Sequence, residues 1–225
     1  MGVFGKAKRL ARRVLTEGPV ATAQLVIDVG NEIVREGRLG IATRAYDMNG
    51  LRDDVNHGYQ PVAYHLIDIA LAHIDITPRD VFIDYGSGKG RVVAVAATKP
   101  FRRVIGVEFD AVLHEAAQRN IAAARRRLRC TDVVLLHVDA TTFAVPDDVS
   151  VIFMFNPFRG DVMKSVQERI VESLRRASRK LTLVYVYPED IGDLFAECPL
   201  LTHDTLLPTG AWDTMRMAIY RSDAH

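Results

Sequence analysis

The 225 residues carry 29 Lys and Arg against 28 Asp and Glu, with 48% hydrophobic and 25% charged. This is the balance of one soluble globular domain plus a short extension, and it excludes a global basic field that would mark nucleic acid or an acidic membrane as the main partner. Cys130 and Cys198 lie far apart, without CxxC spacing or a neighbouring histidine pair, so neither a zinc site nor a redox motif is legible and buried free thiols are expected.

In chain order, Lys6, Lys8, Arg9, Arg12 and Arg13 alternate with apolar residues from Phe4 to Leu15 at helical spacing. The apolar stretch is short and broken by Glu17, Gly18 and Pro19, which is neither a secretory core nor a membrane span, so a cytoplasmic protein is expected. A second helical pattern covers Ala21–Val34. From Gly37 to Gln60 the chain is rich in Gly, Asn, Asp and Arg and reads as an irregular, lid-like connection. Residues 1–60 are therefore assigned to an N-terminal helical extension with its loop, and residues 61–225 to the main domain.

Pro61 opens a helical run through Ile74, placed in the first turn where its missing N–H has no partner. Five short runs follow, Val81–Tyr85, Arg103–Phe109, Asp132–Val138, Val151–Phe155 and Leu181–Tyr187, read as strands buried on both faces. Between them lie helices near Arg91–Ala97, Asp110–Leu128 and Asp161–Ala177. This alternation predicts an α/β fold with a parallel sheet and helices on both faces. Leu200–Arg221 reads as a closing antiparallel hairpin.

The first strand runs into Asp84-Tyr85-Gly86-Ser87-Gly88-Lys89-Gly90-Arg91 and then a helix. Glycines here let backbone approach a ligand, and the helix N-terminus favours a negative group. The dinucleotide fingerprint is GxGxxG, whereas this spacing is GxGxG with Arg91 at the third fingerprint position, and Asp84 would repel a pyrophosphate. A ligand carrying an ammonium and a sulfonium suits that carboxylate. An acidic residue followed by GxGxG resembles the first motif of the class I S-adenosylmethionine methyltransferases. The resemblance implies a Rossmann-like seven-stranded sheet, mostly parallel with a C-terminal antiparallel hairpin, and S-adenosyl-L-methionine as cofactor, with Asp84, Gly86, Ser87, Gly88 and Gly90 around it.

Two further strand ends carry acids. Glu108, followed by Phe109, stands about twenty residues beyond the turn, where a ribose-binding carboxylate belongs. Asp139, followed by Ala140, ends the third strand, and the resemblance implies a hydrogen bond to the adenine amino group. A turn or cap residue is the alternative for Asp139. Lys89 and Arg91 are expected as solvated loop residues, with the cofactor carboxylate as the alternative partner for Arg91.

The fourth strand ends in Asn156-Pro157-Phe158, placing an amide, a proline and an aromatic ring at the reacting edge. This resembles the Asn-Pro-Pro-aromatic motif of amine-directed methyltransferases, without its second proline. Asn156 is the candidate for orienting the acceptor and for lining the cofactor. Phe82–Ala97, Gly106–Glu108 and Ser150–Phe158 are also similar to the non-SET histone lysine methyltransferases, over about the central third of the chain. In such enzymes a loop before the first strand covers the cofactor, which makes Tyr59 a candidate cover residue and Tyr46 a weaker one. His57 and His203 are the histidines considered as bases; a surface role is the alternative for both, and no metal spacing is present.

The expected activity is methyl transfer to a nitrogen nucleophile on a protein or small molecule. O-methylation and a non-catalytic nucleoside-binding module remain open. No membrane partner is expected, the charge gives no support for nucleic acid, and the oligomeric state is left open.

Overall fold

A computed structural model of the chain describes residues 30–44, 59–188, 193–209 and 215–223. The chain divides into two units, residues 1–38 and residues 39–225. In the first unit, residues 30–38 are helical. The helix expected over Phe4–Leu15, most of the one over Ala21–Val34, and Tyr46 and His57 lie outside the described residues.

The second unit is built in chain order from α1 (Tyr64–Ala72), β1 (Val81–Tyr85), α2 (Arg91–Ala97), β2 (Arg103–Glu108), α3 (Ala111–Ala124), a 3-10 turn (Arg125–Arg127), β3 (Val133–His137), β4 (Val151–Phe155), α4 (Gly160–Arg176), β5 (Leu181–Pro188), β6 (Thr202–Leu207) and β7 (Met215–Ser222). The strands form one seven-stranded sheet in the order β3-β2-β1-β4-β5-β7-β6. The strands β1 to β5 run parallel, and β7 is inserted antiparallel between β5 and β6. The parallel sheet and the closing hairpin are as expected from the sequence.

Alternate residues of each strand feed opposite layers, as the pleat requires. On one face Ile83, Tyr85, Ile152, Met154, Leu183 and Tyr185 pack beneath Val166, Ile170 and Leu174 of α4. On the other, Phe82, Val104, Phe153 and Val184 pack against Ile67 of α1 and Val93 of α2. Sheet order reverses between β1 and β4, so the crevice beyond their carboxyl ends is the place where open α/β sheets bind ligands.

Two expectations are corrected. The first helix begins at Tyr64, not Pro61, because the Val62 carbonyl is taken by the Arg91 guanidinium at 2.8 Å and the helical bonds start only from the Ala63 carbonyl. The strand β3 is half-buried, not buried on both faces, because it is the edge of the sheet. Cys130 and Cys198 are buried free thiols.

Candidate functional site

The glycine turn leaves β1 on a left-handed path, with φ of +70° at Gly86, +53° at Gly88 and +79° at Gly90. The Gly86 and Ser87 amides both donate to the Val107 carbonyl, at 2.9 and 3.0 Å, which ties the turn to the neighbouring strand. At two positions a side chain is also excluded by space. A Cβ on Gly86 would stand 2.8 Å from Pro157 Cβ, and one on Gly88 would collide with the Tyr59 ring. Gly90 caps α2 against Ala117. The Ser87 side chain is buried without a hydrogen-bond partner, turned toward Gly106 of β2.

Two acids meet at this turn. Glu108, at the end of β2, accepts from the Gly88 amide at 2.7 Å through one oxygen and from the Asp110 amide at 2.8 Å through the other. Asp110 in turn caps α3, accepting from the Val112 and Leu113 amides. Asp84 is 3% exposed, and its Oδ2 has no hydrogen-bond partner. Burial first, and the negative charge of Glu108 second, push the Asp84 carboxyl well above the usual carboxylate range. Burial also raises Glu108, against the lowering effect of the amides that bond it. Two desolvated carboxylates that repel each other favour a ligand bringing positive charge and N–H donors.

Across the crevice, Asn156 follows β4 with φ of +40°, a left-handed conformation that asparagine tolerates better than most residues. Its amide donates to the Val186 carbonyl of β5 at 2.7 Å, while its side-chain Oδ1 is buried without a partner. Pro157 lies against Gly86. Phe158 is turned into the core, edge-on to Tyr85 at 6.3 Å between ring centroids.

The remaining candidates fall differently. Asp139 is exposed and forms a local turn, accepting from the amide and hydroxyl of Thr141, both at 2.8 Å, through Oδ1 alone. Ala140 is buried in the core. Phe109 is 54% exposed, and its carbonyl lies 2.8 Å from His137 Nε2. Tyr59 packs on Gly88 and donates its hydroxyl to the Thr43 carbonyl at 2.8 Å, with Lys89 Nζ 4.8 Å from its ring centroid. His203 sits on the edge strand β6, across β5 and β7 from β4, so it is not brought to the crevice.

Arg91 corrects the sequence reading. It is 2% exposed, not a solvated loop residue, because α2 is buried along its whole length and the guanidinium finds acceptors inside. Sequence reasoning also missed Thr43 and Asn120, both buried beside the turn. A signal for Asn120 was present: it shares the buried 117, 120, 124 spacing of α3 with Ala117 and Ala124, a polar residue on an apolar stripe.

S-adenosyl-L-methionine fits this chemistry, since its ammonium and sulfonium bring the positive charge that two buried, mutually repelling carboxyls favour. Among the described residues no group of three or more His, Cys, Asp or Glu could hold a metal, and no helix is long and apolar enough to cross a membrane.

The comparison with curated proteins gives no match. Among solved structures, the chain is similar to an RNA methyltransferase from Salinibacter ruber in complex with S-adenosyl-L-homocysteine, at 20% identity and a TM-score of 0.54, covering 74% of this chain and 95% of that one. The yhhF protein of Escherichia coli is similar at 12% identity and a TM-score of 0.58, covering 82% and 99%. The methyltransferase domain of bacterial CtHen1 is similar at 13% identity and a TM-score of 0.55, covering 69% and 97%. These likenesses show the fold. The model of the histone methylation protein DOT1 family matches residues 39–186, well beyond the central third expected from the motifs. The chain belongs to the DOT1 family of histone methylation proteins and is an S-adenosylmethionine-dependent methyltransferase with the class I fold.

Proposed function

We propose that the chain methylates a nitrogen nucleophile, on a protein or a small molecule, with Asn156 orienting the acceptor. The observation that carries this reading is the buried Asn156 Oδ1, which lacks a donor at the end of β4. An acceptor amine brings N–H groups that can satisfy it, and an unsatisfied buried amide costs about 1–3 kcal/mol otherwise.

In this reading Asp84 holds the cationic end of the cofactor, with Gly86, Ser87, Gly88 and Gly90 lying close beneath it. Glu108 accepts from the ribose hydroxyls with lone pairs not used by its two amide donors. Phe109, Asp139 and Ala140 flank the adenine, Asp139 through its second oxygen, and Tyr59 covers the turn. Bound S-adenosylmethionine supplies a methyl group on a positively charged sulfur that leaves neutral. The chain's task is therefore positioning more than acid–base chemistry. Asn156 aims the nitrogen lone pair by holding its hydrogens, Pro157 fixes the backbone against Gly86, and Phe158 braces that segment on Tyr85.

The test is incubation of the full chain with methyl-labelled S-adenosylmethionine and panels of amines, hydroxyl compounds and cell-extract protein. Label on nitrogen is the expected result. Label confined to oxygen replaces this reading with O-methylation. Cofactor binding with no transfer to any of them replaces it with a nucleoside-binding module.

A further inference from the structure

Tyr59 stands in the site, but the buried polar groups behind it have no part in the reaction described above. Arg91 is 2% exposed at the start of α2. A buried guanidinium is costly unless its N–H groups meet acceptors in good geometry. Here Nε donates to Thr43 Oγ1 at 2.7 Å, one terminal nitrogen donates to the Val62 carbonyl at 2.8 Å, and the carbon of the guanidinium stands 4.6 Å from the Tyr64 ring centroid.

Thr43 and Val62 lie on either side of Tyr59 in the chain, and the Thr43 carbonyl accepts the Tyr59 hydroxyl at 2.8 Å. The ring is therefore held from its backbone side, through Val62, and at its tip, through Thr43. Asn120 of α3 reinforces the same place. It accepts from the Ala42 amide at 2.9 Å, donates to the Ala42 carbonyl at 3.3 Å, and donates to the Lys89 carbonyl of the glycine turn at 2.8 Å. Two buried polar side chains from different helices thus fasten residues 42–43 beside the turn that Tyr59 covers.

We propose that Arg91 is a positioning residue for cofactor binding, acting through Thr43 and Val62 to fix Tyr59 against Gly88. The inference rests on the reading that this turn holds the cofactor. It makes affinity for the methyl donor depend on a side chain that works through Tyr59 and not through a contact of its own.

The experiment is calorimetric titration of the full chain with S-adenosylhomocysteine. Arg91→Met and Tyr59→Ala are each expected to weaken binding about tenfold, and the double variant also about tenfold, because both remove one linked contact. Arg91→Lys, which keeps the charge but cannot reach both acceptors as a fork, is expected to resemble Arg91→Met. Thr43→Val removes the hydroxyl that accepts from Nε and is expected to weaken binding about threefold, with no further loss in the Tyr59→Ala background.

Multiplying losses, about a hundredfold in the Arg91→Met/Tyr59→Ala chain, overturn the proposal, since Arg91 then acts independently of Tyr59. Thermal melting checks that each variant is folded. Should Arg91→Met fail to fold, the Thr43→Val and Tyr59→Ala cycle carries the same decision. A wild-type chain that binds no S-adenosylhomocysteine overturns the cofactor reading itself, whereas binding with multiplying losses overturns only the role of Arg91.

Discussion

The Glu108 carboxylate accepts the Gly88 amide at 2.7 Å, joining the end of β2 to the middle of the glycine turn. One residue thereby holds the turn with one oxygen and the entry to α3 with the other. Replacing it with alanine leaves the Gly88 and Asp110 amides without their acceptor. Glu108→Ala is expected to weaken S-adenosylhomocysteine binding and to lower folding stability by about 1–3 kcal/mol. Calorimetric titration and urea unfolding measure the two losses, and unchanged stability would show that the amides need no carboxylate.

Asp84→Asn separates binding from stability. The buried carboxyl is repelled by Glu108 and has an oxygen without a partner, so the neutral amide is expected to leave the ligand-free protein as stable or more so. Affinity for the cofactor is expected to fall by about 1–3 kcal/mol, because a charge-assisted hydrogen bond is lost. A variant that binds as tightly as wild type removes Asp84 from the site.

The same carboxyl sets a pH dependence. Its folded pKa is raised by burial and by Glu108, so the ligand-free folded chain holds a proton that the unfolded chain has lost. Between the ordinary carboxylate range and the raised value, this group's contribution makes the ligand-free protein less stable as pH rises. A cation at the site favours the ionised form and expels the proton. Titrations in buffers of different ionisation enthalpy are expected to show proton release on binding and weaker affinity as pH falls through that window, both diminished in Asp84→Asn.

Gly106→Ala tests how tightly the turn is seated. Its Cβ would stand 2.9 Å from Leu135 Cδ2, Ser87 Oγ and Val93 Cγ2 at once. The expected cost is about 1–3 kcal/mol of stability, with weaker cofactor binding because Ser87 must shift. A melting temperature equal to that of wild type would mean that the sheet absorbs the methyl group elsewhere.

For Asn156→Ala, cofactor affinity is expected to stay near that of wild type while turnover slows by about tenfold or more. Single-turnover kinetics with the labelled acceptor separate this from a binding defect. Full activity would remove the proposed acceptor role.

Much of the sheet was legible because its strands are short runs of β-branched and aromatic residues separated by helical spacing, and β1, β4 and α2 fall within the expected limits. The acid and glycines at the first turn were legible because few residue types serve that backbone path. What escaped depends on contacts between distant segments. Arg91 reads as a surface residue until Thr43, Val62 and Tyr64 are brought around it, 48, 29 and 27 positions away in sequence. Asp139 carries the signature of a ligand-binding acid and of a turn former alike, and the structure engages one of its oxygens in the turn. The double duty of Glu108 was invisible too, since a sequence shows a carboxylate at a strand end but not the amides that face it.

The insertion of β7 between β5 and β6 has a consequence for synthesis. Thr202–Leu207 leaves the ribosome before Met215–Ser222, and among the described residues its ladder partner is that later strand. The two strands are neighbours in sequence and pair as an antiparallel hairpin, a local contact that forms early, whereas the pairing of β7 with β5 spans a longer stretch of chain. The last two strands can therefore close on each other before they reach the sheet, and β7 then carries β6 onto the edge that β5 offers.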